Sequence, residues 1–144
     1  MADLIISTGL QRHTITGINT VEVFYNDTDL TFGEKVFSLF ESMSKRKEEY
    51  ENNISKISDN KEKFSFMRKI DREIRNDIDS LFDKPICDDI FGSMNVMAFG
   101  DGLPVWLNLM LGIIDQIDTA YAREQKLTNP RISKYVDKYK NRKK

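Results

Sequence analysis

The sequence predicts an α+β protein that is mainly α-helical, with a small antiparallel β hairpin or meander at its N-terminus and a bundle of three to four helices. Short β-branched runs occupy the first 26 residues and predict strands. Later segments repeat apolar residues every three or four positions, which is typical of helices that pack along one side. With 144 residues, of which 40% are hydrophobic, the chain is long enough to form its own core.

We expect a single domain over the whole chain. Composition divides this domain into three parts, because β-branched runs, periodic apolar residues and basic residues follow one another along the sequence. The parts are a β hairpin or meander at 1–26, a helical bundle at 31–127 and a basic C-terminal segment at 128–144.

Two or three short strands are predicted in the first part. The β-branched runs lie at residues 4–6, 14–16 and 19–25, and Gly9 and Gly17 separate them. The third run alternates apolar and polar residues, so one of its sides is expected to face a core.

A first helix is predicted to begin at Thr31, because Thr31 and Glu34 have the spacing of a capping box. Its apolar residues form a stripe about three heptads long. They are Val36, Phe40, Met43, Tyr50, Ile54 and Ile57.

A second helix is expected to begin after Asp59, which with Glu62 forms another capping pair, and to run to about Phe82. The linker between the two helices is short, so they are predicted to pack as an antiparallel hairpin. The apolar stripe of the second helix comprises Met67, Ile70, Ile74, Ile78 and Leu81.

Two further helices are predicted after this hairpin. A short one has Pro85 in its first turn and ends near Phe91, with Gly92 as a left-handed cap. Pro104 opens the last and most hydrophobic helix, whose first three turns are apolar nearly all round. Such a helix is either the central helix of the core or a subunit interface. Its main stripe comprises Leu103, Trp106, Leu107, Met110, Ile113, Ile114, Ile117 and Tyr121, and Val105, Leu109 and Leu111 lie off that stripe.

The net charge of −1 is distributed unevenly along the chain. Residues 1–122 carry 13 basic and 21 acidic side chains, net −8, whereas residues 123–144 carry 9 and 2, net +7. Three interpretations of the basic end remain open: a protein-docking segment, a solubilising tail, or a nucleic-acid-binding arm. Tyr135 and Tyr139 are four residues apart, so a helix would place them side by side as an anchor for a partner or for the acidic body.

No catalytic, cofactor or metal site is predicted. Phosphate-binding loops, dinucleotide fingerprints and nucleophile elbows are absent from the sequence. One cysteine and one histidine are too few for a zinc cluster, and we expect Cys87 to be a core residue. His13 has no neighbouring acid in the sequence to orient it as a general base. The carboxylate pairs Asp27/Asp29, Asp77/Asp79 and Asp88/Asp89 are interpreted as solvated surface charge, which leaves a hydrolase as a third alternative.

A cytoplasmic protein is expected. The longest nearly apolar run, residues 103–114, has 12 residues, whereas a membrane span needs about 20. The apolar stretch near the N-terminus is not preceded by the basic region of a secretory signal.

Three stretches resemble the tail assembly chaperone-like proteins of phages and prophage-derived elements of Gram-positive (Firmicutes) bacteria. They are the strand-to-helix entry at 21–40, the short helix ending in Phe-Gly before an Asn-containing loop at 83–95, and the basic, tyrosine-bearing ending at 131–139. The N-terminal 17 residues are more elaborate than the simple hairpin expected of that family.

The resemblance implies a non-enzymatic protein of a bacterial host's cytoplasm that keeps the tape measure protein soluble during tail assembly, with the tail tube protein as a further partner. A homo-oligomer is expected, because the last helix carries an excess of apolar residues. The alternative is a small nucleic-acid-binding regulator that uses the basic C-terminal segment. The residues expected to bind partners are Trp106, Leu109, Met110, Ile132, Tyr135 and Tyr139.

Overall fold

The structure is a computed structural model that describes the backbone of residues 2–126 and the side chains of residues 2–124. It is mainly helical, 59%, with an N-terminal two-stranded antiparallel hairpin and four helices, which confirms the predicted fold class. The elements are β1 Gln11–Thr16, β2 Thr20–Tyr25, α1 Leu30–Lys56, α2 Asn60–Asp79, α3 Cys87–Phe91, β3 Phe99–Gly100, β4 Leu103–Pro104 and α4 Val105–Lys126.

The N-terminal hairpin has two strands. β1 and β2 pair from Gln11 opposite Tyr25 to Thr16 opposite Thr20. Every second residue of β2 points into the core, as the alternation predicts. Residues 4–6 form no third strand, and Leu4, Ile5 and Ile6 are 90%, 91% and 69% exposed.

Helix α1 begins one residue before the predicted start. Its cap is Asp29, whose side chain accepts a hydrogen bond from the Thr31 backbone N–H at 3.0 Å. Thr31 is therefore not the cap residue, because its own backbone N–H is the group that Asp29 caps. The predicted capping box of Thr31 and Glu34 is wrong. The second predicted cap is confirmed, since Asp59 accepts from the Lys61 N–H at 3.3 Å.

Helices α1 and α2 pack as the predicted antiparallel hairpin. The Arg46 guanidinium donates to Asp77 at 2.8 Å, and one turn along the pair the Tyr50 hydroxyl donates to Glu73 at 3.2 Å. Helix α2 ends at Asp79, three residues before the predicted end.

Helix α4 supplies the centre of the core and follows the short turn between β3 and β4. Its residues at helical spacing pack against α1 and belong to one buried cluster that also includes residues of α2 and β2. The largest side chains that are almost completely buried are Trp106, Met43, Ile70, Ile74, Ile78, Ile86 and Met110. None of the described helices is both long and apolar enough to cross a bilayer.

Because Asp29 and not Thr31 caps α1, substitutions at these two residues should differ in their effect on stability. Asp29→Ala removes the side chain that holds the Thr31 N–H, so we expect a loss of about 1 kcal/mol in the free energy of unfolding. Thr31→Ala is the matched control and is expected to change it by less than about 0.5 kcal/mol. Urea denaturation of both variants measures the difference, and a larger loss for Thr31→Ala would contradict the assignment.

Candidate protein-binding groove

An open apolar groove of about 660 Å³ lies between the β hairpin, α3 and α4. Its volume falls within the roughly 300–1,000 Å³ that is typical of binding clefts. Most of its lining is apolar, and Thr14, Asn108 and Gln116 add polar groups. The apolar residues that shape it are Ile15, Ile18, Ile90, Phe91, Leu109 and Ile113.

Gly17 allows the hairpin turn to lie directly against α3. The Ile18 N–H donates to the Ile90 carbonyl at 2.8 Å, and the Asn19 N–H donates to the Asp89 carbonyl at 3.1 Å. A Cβ atom on Gly17 would lie 2.4 Å from the Ile90 carbonyl oxygen. Only glycine permits this approach, so the first wall of the groove depends on Gly17.

Gly112 leaves the α4 side of the groove open. It is exposed, and a Cβ atom built on it would meet no other atom within 4 Å. Leu109, one turn earlier, is half-buried and lines the same groove. The helix therefore presents an apolar side chain beside an empty position where a partner's side chain has room.

Arg75 of α2 fixes α3, the second wall, from behind. Its Nε donates to both carboxylate oxygens of Asp71, at 3.2 and 3.0 Å, and its Nη1 donates to Asp88 at 2.9 Å. Its Nη2 donates to the backbone carbonyls of Gly92 and Met94, at 2.9 and 2.6 Å. The Arg75 side chain is 11% exposed, so one guanidinium joins α2 to both ends of the short helix and to the loop after it.

Two carboxylates of α2 complete this attachment. Asp79 accepts hydrogen bonds from the N–H groups of Ile86 and Cys87, at 2.8 and 2.9 Å, and so holds the start of α3. Asp71 accepts from the Val96 N–H at 2.8 Å. Asp79 therefore ends α2 by turning its side chain to the next helix, which explains why α2 stops before Phe82.

The segment at 83–95 contains the predicted short helix, which ends at Phe91 before a loop. This helix begins at Cys87, so Pro85 precedes it and does not lie in its first turn. Gly92 has a positive φ of +58°, but its ψ of −133° lies outside the left-handed helical region expected for the cap. Asn95 holds the loop to α2, because its side chain donates to the Met67 carbonyl at 3.1 Å and accepts from the Met97 N–H at 2.9 Å.

A buried histidine and aspartate close one end of the hairpin onto α4. His13 and Asp27 are 7% and 6% exposed, and His13 Nε2 lies 2.8 Å from Asp27 Oδ1. Gln116 of α4 donates to His13 Nδ1 at 3.1 Å and accepts a hydrogen bond from the Tyr25 hydroxyl. The imidazole also stacks on the Tyr25 ring, with the ring centres 3.9 Å apart.

This arrangement corrects two interpretations of the sequence. Asp27 is the acid that orients His13, and it is not a solvated surface charge. Gln116 approaches His13 Nδ1 and the Asp27 carboxylate lies against His13 Nε2, so the pair joins β1 to the segment that follows β2. Burial raises the pKa of Asp27 despite the opposing effect of His13 and Arg123, and burial together with Asp27 raises the pKa of the Tyr25 phenol.

Three of the predicted partner-binding residues lie in the part of the chain that the structure describes, and of these Leu109 lines the groove. Trp106 and Met110 are 2% and 0% exposed and belong to the core, because their side of α4 faces the neighbouring elements. Partner binding by these residues stays a prediction. Ile132, Tyr135 and Tyr139 lie outside the described residues.

The cysteine and two further carboxylates that the sequence singled out form structural contacts. Cys87 is completely buried, as expected, and burial next to Asp79 raises the pKa of its thiol. Asp77 and Asp88 are paired with arginines of the α1–α2 hairpin. Within residues 2–126, no three histidine, cysteine, aspartate or glutamate side chains cluster as a metal site requires.

Comparison of the chain with protein-family profiles, with curated proteins and with solved structures finds no match.

The attachment of α3 by Arg75 predicts a large loss of stability when the guanidinium is removed. Arg75→Ala leaves Asp71 and two carbonyls without their donor, so we expect a loss of about 3 kcal/mol in the free energy of unfolding. Arg72→Ala, an exposed position on the same helix, is the control and should change it by less than about 0.5 kcal/mol. Equal effects in urea denaturation would show that Arg75 does not hold the wall.

The buried pair predicts a pH dependence with a definite sign. The folded protein holds the Asp27 proton more tightly than the unfolded chain, so this group lowers stability as the pH rises above the ordinary aspartate pKa of about 3.9. Asp27→Asn keeps an acceptor for His13 without the buried charge, and we expect its stability relative to wild type to increase from roughly pH 4 to pH 6.

Asp27→Ala is the control for the contact with His13. It removes the carboxylate that lies against the buried Nε2 of His13, so we expect a loss of about 1–3 kcal/mol at every pH. Thermal or urea unfolding across the pH range measures both variants. A relative stability of Asp27→Asn that declines with rising pH would contradict the direction given for the Asp27 pKa.

Proposed function

We propose that this chain is a non-enzymatic tail assembly chaperone of a phage or prophage-derived element, which binds the tape measure protein in the cytoplasm of the bacterial host. The tail tube protein is proposed as a second partner. The observation that carries the proposal is the open apolar groove beside Leu109. The resemblance at residues 21–40, 83–95 and 131–139 supplies the identity of the client.

The groove suits an amphipathic segment of a client protein. Its apolar lining matches side chains that would otherwise aggregate in water, and its polar groups lie where a client's backbone or polar side chains can form hydrogen bonds. The net charge of −8 over residues 1–122 favours a client segment with basic residues beside its apolar ones. A long helical client such as a tape measure protein offers many such segments, each protected by one copy of the chaperone.

Self-association is part of this proposal, although not through Trp106 and Met110. The exposed apolar run Leu4, Ile5 and Ile6 is a more suitable contact between copies, because each of these side chains is at least 69% exposed. Several copies linked in this way would cover a long client more effectively than separate ones, since linkage raises the effective concentration.

The basic C-terminal segment supports the nucleic-acid-binding alternative. That function requires binding that weakens steeply with salt and disappears when residues 130–144 are removed. The acidic body opposes it, because the field of residues 1–122 repels a polyanion.

The groove predicts different effects for two substitutions that each add a leucine. Gly112→Leu places a side chain in the open part of the groove, and Ser44→Leu places one at an exposed position of α1 that lines neither open surface. Each variant is co-expressed with a tape measure fragment, and the soluble fraction and the dissociation constant are measured. We expect Gly112→Leu to weaken binding by roughly tenfold or more and Ser44→Leu to leave it unchanged.

Two results would contradict the proposal at different levels. If the wild-type chain leaves the solubility of tape measure fragments unchanged, the proposed function is wrong. If wild type binds and Gly112→Leu binds equally well, the function stands and the groove is not the binding site.

A further inference from the structure

A second apolar surface lies where the start of α1 meets the end of α4. It surrounds an open cavity of about 490 Å³. Leu30, Phe37 and Tyr121 are 74%, 40% and 40% exposed there, which is unusual for side chains of this size. We call this surface the α1–α4 face and define it by Leu30, Gly33, Phe37, Ile117, Tyr121 and Ala122.

The α1–α4 face has an acidic rim. Four carboxylates line the cavity, those of Asp27, Asp29, Glu34 and Asp118, and none of the described residues that line it is a lysine or an arginine. Asp27 is paired with His13, and Asp29 caps α1. Among the side chains that the structure describes, Glu34 and Asp118 form no ion pair. The face therefore combines exposed apolar side chains with negative charge available for a cationic partner.

We propose that residues 127–144 of the same chain fold back and dock on the α1–α4 face. This inference is independent of the proposed function, because it concerns a different surface. The segment begins next to the face, since α4 is described to Lys126 and Tyr121 is only five residues earlier. Its 18 residues can extend over about 60 Å, which is ample for a return along α4 to α1.

The sequence of residues 127–144 matches the α1–α4 face both in its apolar residues and in its charge. Ile132, Tyr135, Val136 and Tyr139 have the spacing i, i+3, i+4 and i+7, so a helix would place all four on one side. Seven of the 18 residues are basic and one is acidic. The apolar stripe fits the apolar floor of the cavity, and the basic residues fit its acidic rim.

In this proposal the chain reverses near Pro130. Proline disfavours a helical conformation in the residue before it and cannot donate the backbone hydrogen bond that would continue a helix. A helix that ends before Pro130 would allow the following residues to return towards the body. The apolar groove of about 660 Å³ is a poorer partner for this segment, because its polar lining residues are uncharged.

Paramagnetic relaxation in the full-length chain tests the docking. Ser133→Cys carries a nitroxide label between the apolar positions, and the backbone amides of Gly33 and Phe37 are the diagnostic signals, because α1 is distant in sequence. We expect these amides to broaden and those of Asn108 and Gly112 in the groove to stay sharp. The wild-type chain treated with the same reagent controls for Cys87, which is completely buried.

Charge reversal supplies the matched control. Glu34→Lys with Asp118→Lys should abolish the broadening at Phe37, whereas Glu48→Lys with Glu51→Lys makes the same charge change at exposed positions farther along α1 and should preserve it. High salt should weaken the broadening.

Three results would overturn the inference. Sharp amides at Gly33 and Phe37 in the labelled chain would show that the segment does not dock there. Broadening at Asn108 and Gly112 instead would place it in the groove. Broadening of Gly33 and Phe37 in unlabelled, isotope-enriched chains that are mixed with labelled chains would assign the face to a second copy of the protein.

Discussion

The attachment of α3 to α2 through the Arg75 guanidinium is the contact on which the candidate groove depends. A helix of five residues is too short to be stable by itself, because forming the first helical turn costs more conformational entropy than its few hydrogen bonds return. Asp79 holds its start, and Arg75 holds its end and the loop that follows. Polar contacts from one longer helix thus position Ile90 and Phe91 as a wall. Apolar packing alone would favour collapse of that wall onto α4.

The hairpin wall is fixed by a different set of contacts, which join it to α3 at one end and to α4 at the other. The hairpin turn reaches α3 through backbone hydrogen bonds that only Gly17 permits, while His13 and Gln116 join β1 to α4 at the other end. Neither set of contacts fills the space between them. An apolar surface is consequently kept exposed to water by polar interactions around its edge, which is an arrangement suited to binding another apolar surface.

The two open surfaces differ in charge, and this difference separates the proposals made for them. The groove beside Leu109 is lined by uncharged groups and suits an amphipathic client segment. The α1–α4 face is bordered by carboxylates such as Glu34 and Asp118, and the basic end of the same chain supplies the opposite charge. Occupation of that face by residues 127–144 would neutralise part of the acidic body without covering the groove.

The sequence by itself determined the order of the N-terminal hairpin and the four helices, the Asp59 cap, the short helix before Gly92 and the burial of Cys87, because these depend on residues close together in the chain. It did not predict the β3–β4 turn. Only the tertiary structure decided that His13 meets Asp27, which needs the return of β2 along β1, and that Arg75 joins three segments. It also decided which residues of α4 face the core. Helical periodicity groups side chains on one face, but the neighbouring elements determine whether that face is covered or open.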